Sequence, residues 1–197
     1  MRYWRAVLTA LVLSLTLVLA GCSDSDPAAS DDEGFNDADV AFASEMIQHH
    51  AQANQMVDLT IGRKLDPEVA ALAENIRTAQ VREIATMADW LQDWDKPVPE
   101  TVRDHANAHG GGEMDSELGS ELPGMMGAEE MRGLEQAKGA EFQQMWLQMM
   151  IAHHEGAIEM AQTEQADGTH RGATRMAEEV ETVQNDEIKK MRDLLAP

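Results

Sequence analysis

Apolar side chains recur every three or four residues over most of the chain, which is the period of an amphipathic α-helix. No stretch sustains the alternation of apolar and polar residues that is typical of a half-buried strand. The sequence therefore predicts an all-α fold. We expect four main helices, over residues 37–62, 67–94, 128–165 and 171–195, and the third has a candidate break near Gly139.

Start and stop signals flank these segments. Asn36 is a candidate N-cap, and Asp66 followed by Pro67 combines a cap with a first-turn proline. Gly62 is a candidate helix terminator. Residues 96–127, which include a run of three glycines, should form a long crossover loop. Two similar hairpins joined by such a crossover predict a four-helix bundle over residues 36–197.

The apolar stripes predict which residues face the core. In the first helix Glu45, Gln48, Gln52 and Gln55 are expected to point outward. The inward residues follow two adjacent stripes of the first helix and one stripe each on the second and fourth: Phe42, Met46, His49, Ala53, Met56, Thr60; Ile47, His50, Asn54, Val57, Ile61; Ile76, Ile84, Met87, Leu91; Val180, Val183, Ile188, Met191, Leu195. His170 is expected to be exposed near a helix start.

The chain repeats itself at an offset of 104 residues. Residues 46–56 (MIQHHAQANQM) recur as residues 150–160 (MIAHHEGAIEM). The match continues downstream, where residues 80–87 and 184–191 share the pattern Gln-x-x-Glu-Ile-x-x-Met. Each copy thus keeps a His-His pair with methionines at the same distances, and this duplicated pair is the strongest indication of function.

Histidine and methionine side chains together are ligands for borderline and soft transition metals, above all copper. Adjacent helical residues diverge by about 100°, whereas residues three or four apart share a face. The chelating sets are therefore Met46 with His49 or His50, and Met150 with His153 or His154, and Met56 and Met160 extend the stripes. We expect either Cu(I) or Cu(II), supported by four side chains on the partner helices: Gln80, Glu83, Gln184 and Glu187.

Other interpretations of the His pairs stay open. Buried histidines with hydrogen-bonded partners would also form a purely structural polar network, as in a tethered protein-interaction module. A metalloenzyme would need an open coordination position and a substrate pocket. Neither the Glu-x-x-His spacing of di-iron bundles nor the His-Glu-x-x-His spacing of zinc proteases is present. We therefore expect a metal-binding protein that is not an enzyme, and its protein partners stay unknown.

The N-terminus has the features of an export signal. Arg2 and Arg5 precede an apolar run that ends in Leu19-Ala20-Gly21-Cys22, which looks like a bacterial lipobox. We expect residues 1–21 to be a lipoprotein signal peptide, Cys22 to carry lipid and residues 22–35 to be a disordered acidic tether. An ordinary secretory signal or an uncleaved anchor is the alternative.

Composition narrows the function classes further. Cys22 is the only cysteine, so a lipidated chain has no thiol left for a disulfide or an iron–sulfur cluster. The net charge of −21 disfavours nucleic-acid binding, so we expect membrane contact through the lipid alone, in the bacterial cell envelope. The crossover also carries His and Met residues, which either capture copper loosely or belong to a plain linker: His105, His109, Met114, Met125 and Met126.

Three motifs resemble the domain-of-unknown-function family 305, also called CopM-like: the doubled Met-Ile-x-His-His-x-x-Ala, the doubled Gln-x-x-Glu-Ile-x-x-Met, and Pro-Gly-Met-Met before the third helix. The resemblance implies a ferritin-like four-helix bundle that is exported to the envelope. Some members are linked to copper binding and resistance, which points to the same His and Met residues. Many members have proline before the His pair, where this chain has Gln48 and Ala152.

Overall fold

The computed structural model describes residues 34–101 and 122–196. These two segments contain five helices and no strand: α1 (Asp37–Asp58), α2 (Pro67–Asp93), α3 (Ala128–Gln136), α4 (Gly139–Asp167) and α5 (Arg171–Leu195). The predicted all-α fold is confirmed. The signal peptide, Cys22, most of the acidic tether and the crossover residues 102–121 lie outside the described residues. No described helix combines the length and apolar character needed to cross a bilayer.

The first two helices begin at the predicted caps. The Asn36 side chain accepts hydrogen bonds from the backbone of Ala38 and Asp39, and the Asp39 carboxylate accepts one from Asn36 N. Asp66 accepts from Glu68 N, with proline in the first turn. The α1 helix ends at Asp58, earlier than predicted, because the chain tightens into three-residue turns there.

The predicted third helix is interrupted where glycine was noted. It ends at Gln136, and α4 begins at Gly139, whose φ of 56° lies in the left-handed region that glycine tolerates. Ala137 and Lys138 between them are extended. The short α3 packs against α4, so the break folds a separate helix onto the bundle.

The helices pack as two hairpins in a bundle. The α1 helix lies along α2, α4 lies along α5, and the hairpins meet mainly through α1 and α4. The indole N–H of Trp146 donates to the carbonyl of Met56 at 3.0 Å, which joins the second half of α1 to the first half of α4. The α1 and α4 helices are therefore antiparallel, and the two copies of the repeat are related by an approximate two-fold axis.

Predictions about exposure are wrong for Ile61, Val183 and His170. Ile61 is 71% exposed because it lies beyond the end of α1, and Val183 is 45% exposed because Val180 and Gln184 occupy the inward line of α5. His170 is buried instead of exposed. Its ring accepts a hydrogen bond from Ala173 N as the cap of α5, and it makes edge-type contacts with two tryptophans at the end of α2: Trp90 and the C-cap residue Trp94.

Candidate metal centre

The two His pairs meet in the middle of the bundle, where α1 passes α4. All four imidazoles are completely buried. The rings of His49 and His153 contact each other across the helix interface, with centroids 3.8 Å apart and planes tilted by 41°. Because neighbouring helical positions diverge by about 100°, the other member of each pair faces the second helix of its own hairpin. The structure thus brings together all four predicted histidines.

His50 and His154 each contact a carboxylate in the same way. His50 Nε2 lies 2.7 Å from Glu83 Oε2, and His154 Nε2 lies 2.8 Å from Glu187 Oε2. Burial alone would raise the pKa of Glu83, but the hydrogen bond from His50 lowers it below its ordinary value, so Glu83 is ionised. An ionised carboxylate accepts hydrogen bonds, so His50 donates to Glu83 from Nε2, and His154 has the same geometry with Glu187. A neutral ring that donates from Nε2 has its lone pair on Nδ1.

A segment that the sequence analysis treated as linker covers the other histidines. Residues 122–127, here the strap, end the crossover and lie over α1 and α4. His49 Nε2 donates to the Pro123 carbonyl at 3.0 Å. The Gln52 amide makes two hydrogen bonds to the backbone of Met126, at 2.8 and 2.7 Å. Gln52 was predicted to point outward, which is wrong: the strap buries it, and Met126 joins the core.

Two glycines allow the strap to approach α4 this closely. A Cβ at Gly156 would lie 2.0 Å from the Pro123 carbonyl oxygen, and a Cβ at Gly124 would lie 2.5 Å from the carbonyl oxygen of Ala152. Gly124 also has a φ of 72°, in the left-handed region. Gln52 and Gly156 occupy the same position in the two copies of the repeat. The first hairpin therefore holds the strap through the hydrogen bonds of Gln52, and the second through close backbone packing at Gly156.

Several nitrogen atoms of the four imidazoles lack partners. Within residues 34–101 and 122–196, no group hydrogen-bonds to Nδ1 of any of the four, nor to Nε2 of His153. Burial is the main cause that lowers the pKa of His49 to about 3, and the closeness of His50 and His154 acts in the same direction. Burial lowers the pKa of His153 well below its ordinary value, and the nearby His49 backbone opposes this without reaching hydrogen-bond geometry. His49 and His153 are therefore neutral, the form that ligates metals.

Oxygen and nitrogen ligands alone do not complete a site. Among the described residues, no three His, Cys, Asp or Glu side chains converge to hold one ion. Gln80 and Gln184 are buried, but no described group donates to their side-chain oxygens. Thioethers are the other candidate donors, and the four predicted methionines are all buried: Met46, Met56, Met150 and Met160. Imidazole nitrogen with thioether sulfur is a donor set that fits copper.

A model of a domain of unknown function, DUF305, matches residues 39–195, which include both His pairs, Glu83, Glu187 and the strap. The chain belongs to the DUF305 family. No curated protein sequence matches the chain at a significant level.

Solved structures share the DUF305 fold. The putative secreted protein DUF305 from Streptomyces coelicolor is 32% identical, with a TM-score of 0.67 over 80% of this chain and 91% of that one. A DUF305 fragment from Deinococcus radiodurans is 26% identical, with a TM-score of 0.66 over 81% and 96%. CopM in the Cu(II)-bound form is 27% identical, with a TM-score of 0.63 over 80% and 95%, and CopM has also been solved with Cu(I) and with Ag.

A second feature, which sequence reasoning missed, is a carboxyl pair beside the strap. A cleft of about 190 Å³ between α1 and α4 is bordered by Glu45, Glu159 and Glu164. Glu164 is 1% exposed. If its carboxylate were ionised, no described group would donate a hydrogen bond to it. Burial and the neighbouring carboxylate of Asp39 raise the pKa of Glu164 to about 8. Protonated Glu164 then donates to Asp39, which three backbone N–H groups keep ionised: those of Asn36, Thr169 and His170.

This pair predicts how stability depends on pH. The folded chain holds a proton on Glu164 up to about pH 8, whereas the unfolded chain releases it near pH 4.5. The contribution of Glu164 is therefore complete below pH 4.5 and is lost as the pH rises to about 8, by at most about 1.4 kcal/mol per pH unit. Glu164→Gln should flatten this slope in urea unfolding between pH 5 and 8.5. The exposed Glu159→Gln is the control, and equal slopes in both variants would contradict the assignment.

Proposed function

We propose that this DUF305 chain is a non-catalytic copper-binding protein of the cell envelope, which buffers copper or passes it on. One observation carries the proposal: the two matching His–Glu pairs, His50 with Glu83 and His154 with Glu187. In metal sites a carboxylate commonly holds the far nitrogen of a ligating imidazole in this way, fixing the tautomer and the ring orientation. Here the nitrogen left for a metal is Nδ1, which is buried and has no described partner.

The donor set favours copper over other metals. Neutral imidazoles suit several transition metals, but thioether sulfur selects soft ions such as Cu(I). We assign the ligands to the four histidines with Met46 and Met150, while Met56 and Met160 extend the stripes at a greater distance and are not assigned as ligands. The charges of Glu83 and Glu187 would offset that of a bound cation. The Cu(I)-, Cu(II)- and Ag-bound forms of the structurally similar CopM support this assignment.

The proposed location rests on the N-terminal sequence. Residues 1–21 have the pattern of a lipoprotein signal, and Cys22 would anchor the chain through its lipid. The Streptomyces coelicolor relative carries the name of a secreted protein, which supports export. The anchored chain would present its acidic surface to cations outside the membrane, where copper enters or leaves the cell.

The main competing function is a tethered interaction module whose histidines serve only the core. The hydrogen bonds to Glu83 and Glu187 would stabilise such a core as well. A network kept for stability should, however, leave few polar atoms without partners, whereas five imidazole nitrogens here have none among the described residues. Metal binding gives those nitrogens a role.

The proposal is tested by titrating the full chain with Cu(I) against a competing chelator. We expect tight binding and a higher melting temperature with metal, because a ligand of the folded state stabilises it. A variant with all four histidines changed to alanine should lose both effects. Wild-type chain that binds no more copper than an unrelated acidic protein would overturn the proposal.

A milder variant covers the case in which four alanines prevent folding. Glu83→Gln with Glu187→Gln keeps the size of both side chains and should keep the helical circular dichroism spectrum. Loss of such outer partners typically weakens metal binding about 10–100-fold. We expect a loss in that range. Unchanged copper affinity would remove the observation on which the proposal depends.

A further inference from the structure

Met87 of α2 and Met191 of α5 occupy matching positions in the repeat. Each lies one helical turn from the level of the four buried imidazoles, here called the His layer. We propose that Met87 and Met191 are thioether ligands, and that the bundle therefore holds two equivalent soft-metal sites. One site combines Met46 and Met87 with His50, and the other combines Met150 and Met191 with His154. The inference rests on the proposed copper binding and adds its stoichiometry and two ligands.

The helix register places Met87 next to Met46. The bond between His50 and Glu83 puts these two residues at the same level of the first hairpin. Met46 lies one turn before His50 in α1, and Met87 lies one turn after Glu83 in α2. Because consecutive helices of a hairpin are antiparallel, both methionines lie at the next level in the same direction. Both are completely buried, and they belong to the same core cluster.

The second hairpin repeats this arrangement. The bond between His154 and Glu187 sets the level, Met150 precedes His154 by one turn, and Met191 follows Glu187 by one turn. Met150 and Met191 are completely buried and share the other core cluster. Since α1 and α4 are antiparallel, the two pairs of thioethers lie on opposite sides of the His layer.

Side-chain direction brings the Met87 sulfur toward the His50 imidazole and, by the repeat, the Met191 sulfur toward the His154 imidazole. A helical side chain covers the turn before its own Cα, so Met87 extends toward the turn of Glu83, and His50 extends toward the turn of Met46. Met56 and Met160 lie farther away. Met56 is six residues after His50, about 9 Å along the helix axis at the usual rise, and Met160 is equally far from His154. These two methionines are too distant to share an ion with those imidazoles.

The experiment compares two double variants that each remove two buried thioethers: Met87→Leu with Met191→Leu, and Met56→Leu with Met160→Leu. Leucine conserves the volume of methionine, so both should fold, which circular dichroism checks. The full chains are titrated with Cu(I) and Ag(I) against a chelator, and with Cu(II). We expect the first variant to bind Cu(I) and Ag(I) at least about tenfold more weakly, a difference of about 1.4 kcal/mol, with Cu(II) little changed. The second variant should bind like the wild type.

A single variant tests how many Cu(I) ions each chain binds. The wild type should take up two Cu(I) ions, and Met87→Leu alone should leave one tight site. Wild-type Cu(I) affinity in the Met87/Met191 variant, or a larger loss in the Met56/Met160 variant, would overturn the inference while leaving the proposed function standing. Absence of copper binding by the wild type would overturn the proposed function itself, and the inference with it.

Discussion

Replacing His153 with leucine should make the copper-free chain more stable and its copper binding much weaker. His153 is completely buried, and neither ring nitrogen has a hydrogen-bond partner among the described residues. A buried polar group without a partner costs about 1–3 kcal/mol, and leucine has a similar volume and no polar atom. We expect the free energy of unfolding to rise by about that amount. The loss of a ligand should weaken copper binding by more than the roughly 10–100-fold caused by losing an outer partner.

Opposite changes in stability and binding are what a site built for a ligand predicts. Both are measured on the same variant, by urea unfolding with a chelator present and by competition titration with Cu(I). His49→Leu is the matched control, because His49 donates to the Pro123 carbonyl and its removal would leave that acceptor without its bond. The control should gain less stability or lose some. If His153→Leu were strongly destabilising and copper had no effect on either chain, the histidine would be structural.

Gly156→Ala should displace the strap and destabilise the chain. The new Cβ would lie 2.0 Å from the carbonyl oxygen of Pro123 and 2.6 Å from the backbone nitrogen of Gly124, so backbone atoms would have to move. Overpacking of this kind typically costs about 1–3 kcal/mol. The same movement would break the hydrogen bond from His49 to Pro123 and strain the contacts of Gln52 with Met126. We therefore expect lower stability in urea unfolding and faster proteolysis within residues 122–127.

Gly133→Ala is the control for this variant. Gly133 lies inside α3, and a Cβ there would meet nothing within 4 Å. Alanine is the better helix former by about 1 kcal/mol, so this change should be neutral or stabilising. Equal stability of the Gly156→Ala chain and the wild type, with an unchanged proteolysis pattern, would show that the strap is not held against α4 as described.

Much of the fold could be predicted because helix formation leaves a local signal. The period of the apolar residues and the caps at Asn36 and Asp66 located the helices within a few residues, and Gly139 marked the break before α4. The repeat at 104 residues also matched the His pairs before any contact was known. Inward orientation of His49 and His153 follows from spacing alone, since a residue on an apolar helical stripe is turned toward the core.

The exposure errors at Gln52 and His170 share one cause. Gln52 was assigned to the outer face of α1, and His170 to the surface, because helical periodicity describes only the face that a helix turns to its nearest partner. The strap buries the first residue, and two tryptophans at the C-terminal end of α2 pack against the second. Contacts between segments far apart in sequence leave no periodic trace, so the single sequence could not predict either one.

The sequence by itself determined the helical fold, the internal duplication and the set of imidazoles and thioethers, because each follows from the identity and spacing of residues along the chain. Only the tertiary structure decided how these groups act together. It chose Glu83 and Glu187 over the neighbouring glutamines as partners of the imidazoles, which fixes the free nitrogen on each ring. Burial beside Asp39 also raises the pKa of Glu164 to about 8, and packing of the strap places the Pro123 carbonyl within hydrogen-bond distance of His49. Register between helices and exclusion of water arise only when distant segments pack. They determine which nitrogen of each imidazole is bonded, whether Glu164 carries a charge, and which candidate ligands lie at the same level of the bundle.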